Sequence, residues 1–151
     1  MSPRQTRFCE TLSVIAFAPG VSWALREIAE ATQADAVGVD WHTSPHAARA
    51  QCLGLDIAMQ GNLDPCALYG SPAEIRRRTH EMIAAFGPVG HVANLGHGIL
   101  PDVPPAHARA FVDAVKERRW TGEAIAASHL LLANTPTSWE FDERRGNSPG
   151  T

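Results

Sequence analysis

In the run Asn94-Leu95-Gly96-His97-Gly98 an imidazole stands between two glycines, directly after the apolar run His91-Val92-Ala93. Glycine on either side frees the backbone and leaves the ring little side-chain cover, so a ligand can come close. With a reference pKa near 6.5, an imidazole so placed can donate to a carboxylate or shuttle a proton. The plainer alternative is a loop histidine that satisfies a backbone carbonyl. A second string, Gln60-Gly61-Asn62-Leu63-Asp64-Pro65, also reads as a strand that stops in a glycine-bearing polar turn. Gly61 and Asn62 tolerate unusual backbone angles, Asp64 can accept backbone N–H bonds, and Pro65 fixes the exit. The string is either a structured βα turn or the floor of a pocket. Asp40 closes another apolar run. It is either an acid or acceptor facing a central cavity or a carboxylate held by a structural partner, since an unpaired one is costly.

Other candidates are weaker. His42 and His46 could share one helix face, as in some metal sites. Pro45 lies between them, however, and no acidic or thiol third ligand stands at a telling spacing, which favours a solvated face. No phosphate-binding loop, G-x-G-x-x-G, G-x-S-x-G or H-E-x-x-H string occurs, so nucleotide binding and serine hydrolase chemistry have no support.

The elements that must position these residues follow from apolar periodicity. Leu12 to Ala18 is a strand closed by Pro19-Gly20. Val21, Ala24, Leu25, Ile28 and Ala29 recur at helical spacing. Ala36 to Val39 is a second strand ending at Asp40-Trp41, and Ser44-Pro45 opens a short helix. Ile57 to Gln60 is a third strand. Ser71-Pro72-Ala73-Glu74 has the form of a capping box, followed by the stripe Ile75, Thr79, Met82, Ile83 and Phe86 and the stop Gly87-Pro88. His91 to Leu95 is a fourth strand. Pro104-Pro105 opens a last helix whose apolar face includes Phe111, Val112 and Val115. The sum is an α/β protein of four βα units, with near-continuous apolar strands that predict a parallel sheet covered by helices. In such a fold, chemistry sits at the carboxyl ends of the strands.

At 151 residues, 44% hydrophobic and 19% charged, with a net charge of −3, the chain has the composition of one soluble globular domain. The slight acidity and the absence of Lys/Arg clusters argue against nucleic-acid and membrane-surface partners. Residues 1–11 form a polar segment with neither a signal-peptide nor a membrane-spanning pattern. The three cysteines, Cys9, Cys52 and Cys66, stand at wide, unpatterned spacing. They read as small packing residues in a reducing cytoplasm, not as disulfides, zinc ligands or nucleophiles. After Arg119 the pattern weakens. Ala124 to Ala133 has the composition of a stray apolar helix, but 120–151 as a whole reads as a divergent, disordered tail.

Val39-Asp40-Trp41, Gln60 to Pro65, and Asn94 to Gly98 followed by Pro101-Asp102 resemble, in order and spacing, the uroporphyrinogen decarboxylase family. The similarity runs from about Leu12 to about Glu117, giving a partial barrel over 12–119. The resemblance implies the second half of a (β/α)8 TIM barrel, usually a homodimer. It implies removal of carbon dioxide from the four acetate side chains of uroporphyrinogen to give coproporphyrinogen in heme biosynthesis. No metal or organic cofactor is implied, because the protonated substrate pyrrole is the electron sink. His97 matches the family's cleft-lining histidine, which implies a substrate-binding role through hydrogen bonding and electrostatics.

The family's catalytic aspartate, active-site tyrosine and R-Q-A-G-R arginines belong to the first half of its barrel and have no match here. Arg4-Gln5-Thr6-Arg7-Phe8 echoes the arginine string but is one residue short and lies before the wrong strand. Tyr69, the only tyrosine, does not match the family's own. A closed eight-stranded barrel takes about 250 residues, and four strands leave two open edges. The expectation is therefore a partial uroporphyrinogen decarboxylase that needs a complementing N-terminal half for activity. The alternatives are a non-catalytic remnant acting as a dimerisation or interaction module, and a zinc-dependent methyltransferase relative. The latter would call for an H-x-C string, which this sequence lacks.

Overall fold

The computed structural model describes residues 13–133, with side chains through Ser128. The sequence readings on Arg4, Arg7, Cys9 and the segment from Asn134 onward lie outside the described residues. The elements run β1 (Ile15–Ala16), α1 (Leu25–Thr32), β2 (Ala36–Gly38), α2 (Pro45–Gln51), β3 (Ala58–Leu63), a 3-10 helix (Pro65–Tyr69), α3 (Pro72–Phe86), β4 (His91–Leu95), α4 (Pro105–Glu117) and α5 (Gly122–Ala133). The four strands form one sheet in the order β1-β2-β3-β4, every pair parallel. This is the α/β architecture expected from the apolar pattern, and it is consistent with the second half of a (β/α)8 barrel. No helix among the described residues is long and apolar enough to cross a membrane.

One face of the sheet is buried under α1 to α4. Val37, Val39, Met59 and Leu63 pack there against Leu25 and Ala29 of α1, Ala48 and Cys52 of α2, and Met82, Ile83 and Phe86 of α3. A second cluster joins Leu68, Ile75, Val103 and Ala110. The opposite face is open along β4, where Val92 and Asn94 are exposed while His91, Ala93 and Leu95 are half-buried. That alternation is the pleat of a strand with one covered face.

The helix signals hold in detail, with three corrections. Ser44 and Ser71 cap α2 and α3, each hydroxyl accepting from the backbone N–H three residues on, and the predicted α3 stripe is the buried one. The capping box is only half made. The Glu74 carboxylate turns to Arg77 and Arg78, which hold it well below the usual carboxylate range, at about 2. On α4, Ala110 and Ala114 are buried whereas Val112 is exposed, because Val112 lies a large part of a turn away from that stripe. The Gln60 to Pro65 string is not yet a turn at Gly61. Strand β3 continues through Leu63, held by parallel pairing of Gly61, Asn62 and Leu63 with Ala93, Asn94 and Leu95.

The expectation of disorder over 120–151 fails for Gly122–Ala133, which forms α5. Thr121 Oγ1 accepts from the Ala124 N–H at its start, and the alanine-rich composition favours helix. Trp120 packs against the main core, under the Arg118 guanidinium 4.3 Å from the ring centre.

Candidate active site

The carboxyl ends of the strands converge on the His97 turn. As β4 ends, Gly96 N–H donates to Leu63 O at 2.8 Å, which ties the turn to the end of β3. A Cβ on Gly96 would stand 2.4 Å from Trp41 N and 2.9 Å from the Asp40 carbonyl carbon. Only glycine lets the turn press so closely on the end of β2. His97 is exposed, its ring in a T-shaped contact with the Trp41 indole, centroids 5.4 Å apart. Its Nδ1 lies 3.2 Å from Gly98 O. A carbonyl only accepts, so Nδ1 carries the hydrogen in this contact. The plainer reading of the histidine, a ring nitrogen satisfying a backbone carbonyl, is the one seen here. Nε2 makes no hydrogen bond among the described residues.

The ring borders a hollow of about 360 Å³ on the open face of the sheet, with Gln60, Asn94, Phe17, Ile99 and Gly38 among its walls. A Cβ on Gly38 would fall 2.4 Å from Phe17 Cδ2, so the Phe17 ring lies directly over the middle of the sheet. A wider cleft of about 430 Å³, lined by Trp41, Ser44, Asn62, Glu81 and Ala85, lies between α2 and α3. It does not include His97, and its buried amide, Asn62 Nδ2, is already committed to Asp40 O and Thr43 O.

A sequence model of the uroporphyrinogen decarboxylase (URO-D) family matches residues 4–118. The chain belongs to the uroporphyrinogen decarboxylase family. It is 49% identical to the uroporphyrinogen decarboxylase of Homo sapiens over 102 residues, which are 68% of this chain and 27% of that protein. To that of Salinibacter ruber it is 49% identical over 104 residues, 69% of this chain and 29% of the relative. To that of Hahella chejuensis it is 52% identical over 99 residues, 65% and 27%. The chain therefore spans less than a third of the length of these uroporphyrinogen decarboxylases.

Of the residues singled out from sequence, His97 alone borders the hollow as a titratable group. Gln60, from the second string, joins it there. Asp40 takes the structural alternative. It is buried, its Oδ1 accepting from His42 N–H and Thr43 Oγ1, and its own N–H donates to Ser22 Oγ. Asp64 caps the 3-10 helix through Cys66 N–H. His42 precedes α2, so it shares no helix face with His46. Its ring instead lies against Trp41, centroids 4.5 Å apart.

Cys52 is a core residue whose thiol burial pushes up, but Cys66 is exposed, contrary to its reading as a packing residue. It sits on the outward side of a single 3-10 turn, next to Asp64, which raises its thiol pKa. Tyr69 donates to Asp102 Oδ1 at 2.5 Å, and that bond pushes its phenol up to about 12, away from the hollow. The sequence does not single out Trp41 or Asn94 as individual residues. Strand parity was the available signal for Asn94. Nothing in the sequence points to the contact between Trp41 and His97.

Proposed function

We propose that this chain supplies one wall of the substrate cleft of a uroporphyrinogen decarboxylase, with His97 binding the substrate. Membership of the family supports this. The single observation that carries it is a glycine-flanked histidine at the carboxyl end of β4, its Nε2 without a hydrogen-bond partner among the described residues, beside a hollow on the more exposed sheet face. The reaction is loss of carbon dioxide from the acetate arms of uroporphyrinogen to give coproporphyrinogen. The electron sink is the protonated pyrrole of the substrate itself, so no metal or organic cofactor takes part. A neutral His97 can accept a proton at Nε2, and its imidazolium can donate there to an acetate or propionate carboxylate.

The principal acid and the arginine clamp come from a complementing N-terminal half, and the assembly works in the cytoplasm. The test is carbon dioxide release from uroporphyrinogen by this chain alone and with an added N-terminal half. Activity is expected only in the mixture. Full activity from the chain alone would sink the proposal. A second reading, an interaction module, draws on the outward-facing Ile15 of β1 and Val92 of β4, which are the outer strands of the sheet. It predicts stable association with a relative and no turnover, either alone or in the mixture.

A further inference from the structure

Gln60 and Asn94 hold two side-chain amides on the open face of the sheet, and both border the hollow beside His97. Gln60 pairs in register with Gly38 on one side and Val92 on the other. Asn94 lies two residues on from Val92 along β4, so it shares that face one pleat nearer to His97. Asn94 Oδ1 accepts from Leu95 N–H at 2.8 Å. That bond fixes which end of the amide is which, and leaves the NH₂ as a donor with no partner among the described residues. The half-buried Gln60 side chain makes no hydrogen bond to any described residue.

The remaining walls include Phe17, Leu95 and Ile99, which are apolar. Both amides are reached by water when the hollow is empty, and a ligand carboxylate can take the place of that water at their N–H groups. The donors are neutral and the wall is flat and apolar. The matching ligand is one carboxylate arm carried on a planar, weakly polar ring. About 360 Å³ suits a single pyrrole with its arms better than a whole macrocycle.

We infer that Asn94 and Gln60, together with His97 Nε2, form a subsite for a carboxylate arm of one pyrrole ring. The two amides supply neutral N–H donors and help to determine specificity. This rests on the substrate reading above and adds two residues to it. Neutral donors hold a carboxylate without binding it so tightly that the product cannot leave, and they impose direction. His97 supplies whatever positive charge the arm meets.

The experiment uses the full 151-residue chain, ¹⁵N-labelled. The probes are porphobilinogen, a monopyrrole with one acetate and one propionate arm, and uroporphyrin, an octacarboxylate. Both are expected to shift the side-chain NH₂ signals of Asn94 and Gln60. Asn94→Asp keeps an oxygen for Leu95 N–H but replaces the donor with negative charge. Gln60→Glu does the same at Gln60, and Gln60→Met removes the amide at nearly constant volume. Each should weaken binding about tenfold or more, the loss expected for one hydrogen bond to a charged group, with circular dichroism unchanged.

Binding that leaves both amide signals unmoved, or no shift with either probe, overturns the subsite. So does an unchanged KM for Asn94→Asp and Gln60→Glu in a reconstituted, active decarboxylase, which would leave the proposed function standing. Amide shifts with porphobilinogen, with no turnover of uroporphyrinogen in any mixture, would support the subsite and remove the function instead.

Discussion

The Trp41 indole meets the His97 imidazole edge to face, with centroids 5.4 Å apart and planes at 85°. The two residues come from the ends of β2 and β4, which are not neighbours in the sheet. They meet because Gly96 lets the turn between them settle on the Trp41 backbone. The imidazole is therefore held twice, by Gly98 O at one nitrogen and by the T-shaped contact with the indole. A side chain between two glycines would otherwise sample several rotamers. Trp41 is thus expected to restrict the rotamers of His97.

Removing that contact should loosen the ring. Trp41→Ala should move the His97 Cε1–H resonance and broaden its rotamer distribution, whereas Trp41→Phe should retain most of the wild-type shift. Edge-to-face pairs are worth about 0.5–1.5 kcal/mol, so turnover in a reconstituted enzyme should fall by no more than about tenfold in Trp41→Ala. Loss of the indole ring current alone moves that resonance, so the His97 rotamer distribution decides: a merely structural tryptophan would leave it unchanged.

His97→Ala should separate function from folding. The side chain is exposed, and among the described residues its only hydrogen bond is to the adjacent one. Unfolding free energy should therefore stay within about 0.5 kcal/mol of wild type. A lost charge-assisted hydrogen bond of about 1.5–3 kcal/mol predicts a fall in kcat/KM of roughly 10- to 150-fold. Kinetics indistinguishable from wild type in the reconstituted enzyme would remove His97 from the site.

Periodicity made the strands and helices legible, because a covered parallel strand and an amphipathic helix leave different spacings. The α3 stripe from Ile75 to Phe86 was readable for that reason, and so was the Ser71 cap. Strand ends were less so. Gly61 and Asn62 carry turn chemistry, yet they belong to β3 because the partner strand pairs with them. His97 was legible as a candidate from its glycines. Its surroundings were not, since the Trp41 contact, the Phe17 cover and the open amides of Gln60 and Asn94 depend on how distant strand ends align. Asp40 shows the converse limit. A carboxylate at a strand end fits an acid or a scaffold equally well until His42 N–H, Thr43 and Ser22 are seen around it.

A second histidine should make stability depend on pH. His91 stacks on Phe86 at 4.1 Å between centroids, and its Nε2 lies 2.7 Å from Gly61 O. Burial lowers its pKa, the nearby Arg49 charge lowers it further, and the Gly61 bond opposes them. The folded state thus binds a proton less readily than the unfolded chain. Above about pH 6.5 both forms are neutral and His91 contributes no pH dependence. As pH falls from there towards the depressed folded value, the unfolded state takes up the proton first and stability drops. Urea unfolding at pH 7.5 and pH 5 should show a larger loss for wild type than for His91→Gln. Equal losses would refute the assignment.

Arg49 should matter more to folding than its surface chemistry suggests. From α2 its guanidinium reaches the end of α3, with Nε and Nη2 donating to Phe86 O at 3.2 and 3.0 Å. Nη2 also donates to Val89 O at 2.6 Å and Gly90 O at 3.2 Å. Gly90 O also accepts from Met59 N–H at 2.9 Å, where β3 begins to pair with β4. One side chain therefore shapes the α3–β4 connection that sets the register of the His97 strand. Arg49→Met leaves those carbonyls to find other donors, at a cost of about 2–3 kcal/mol by urea unfolding. Arg49→Lys should recover little of it, because a compact ammonium cannot span three carbonyls as the planar fork does. If Lys restores full stability, charge and not geometry holds the connection, and the bracing role falls.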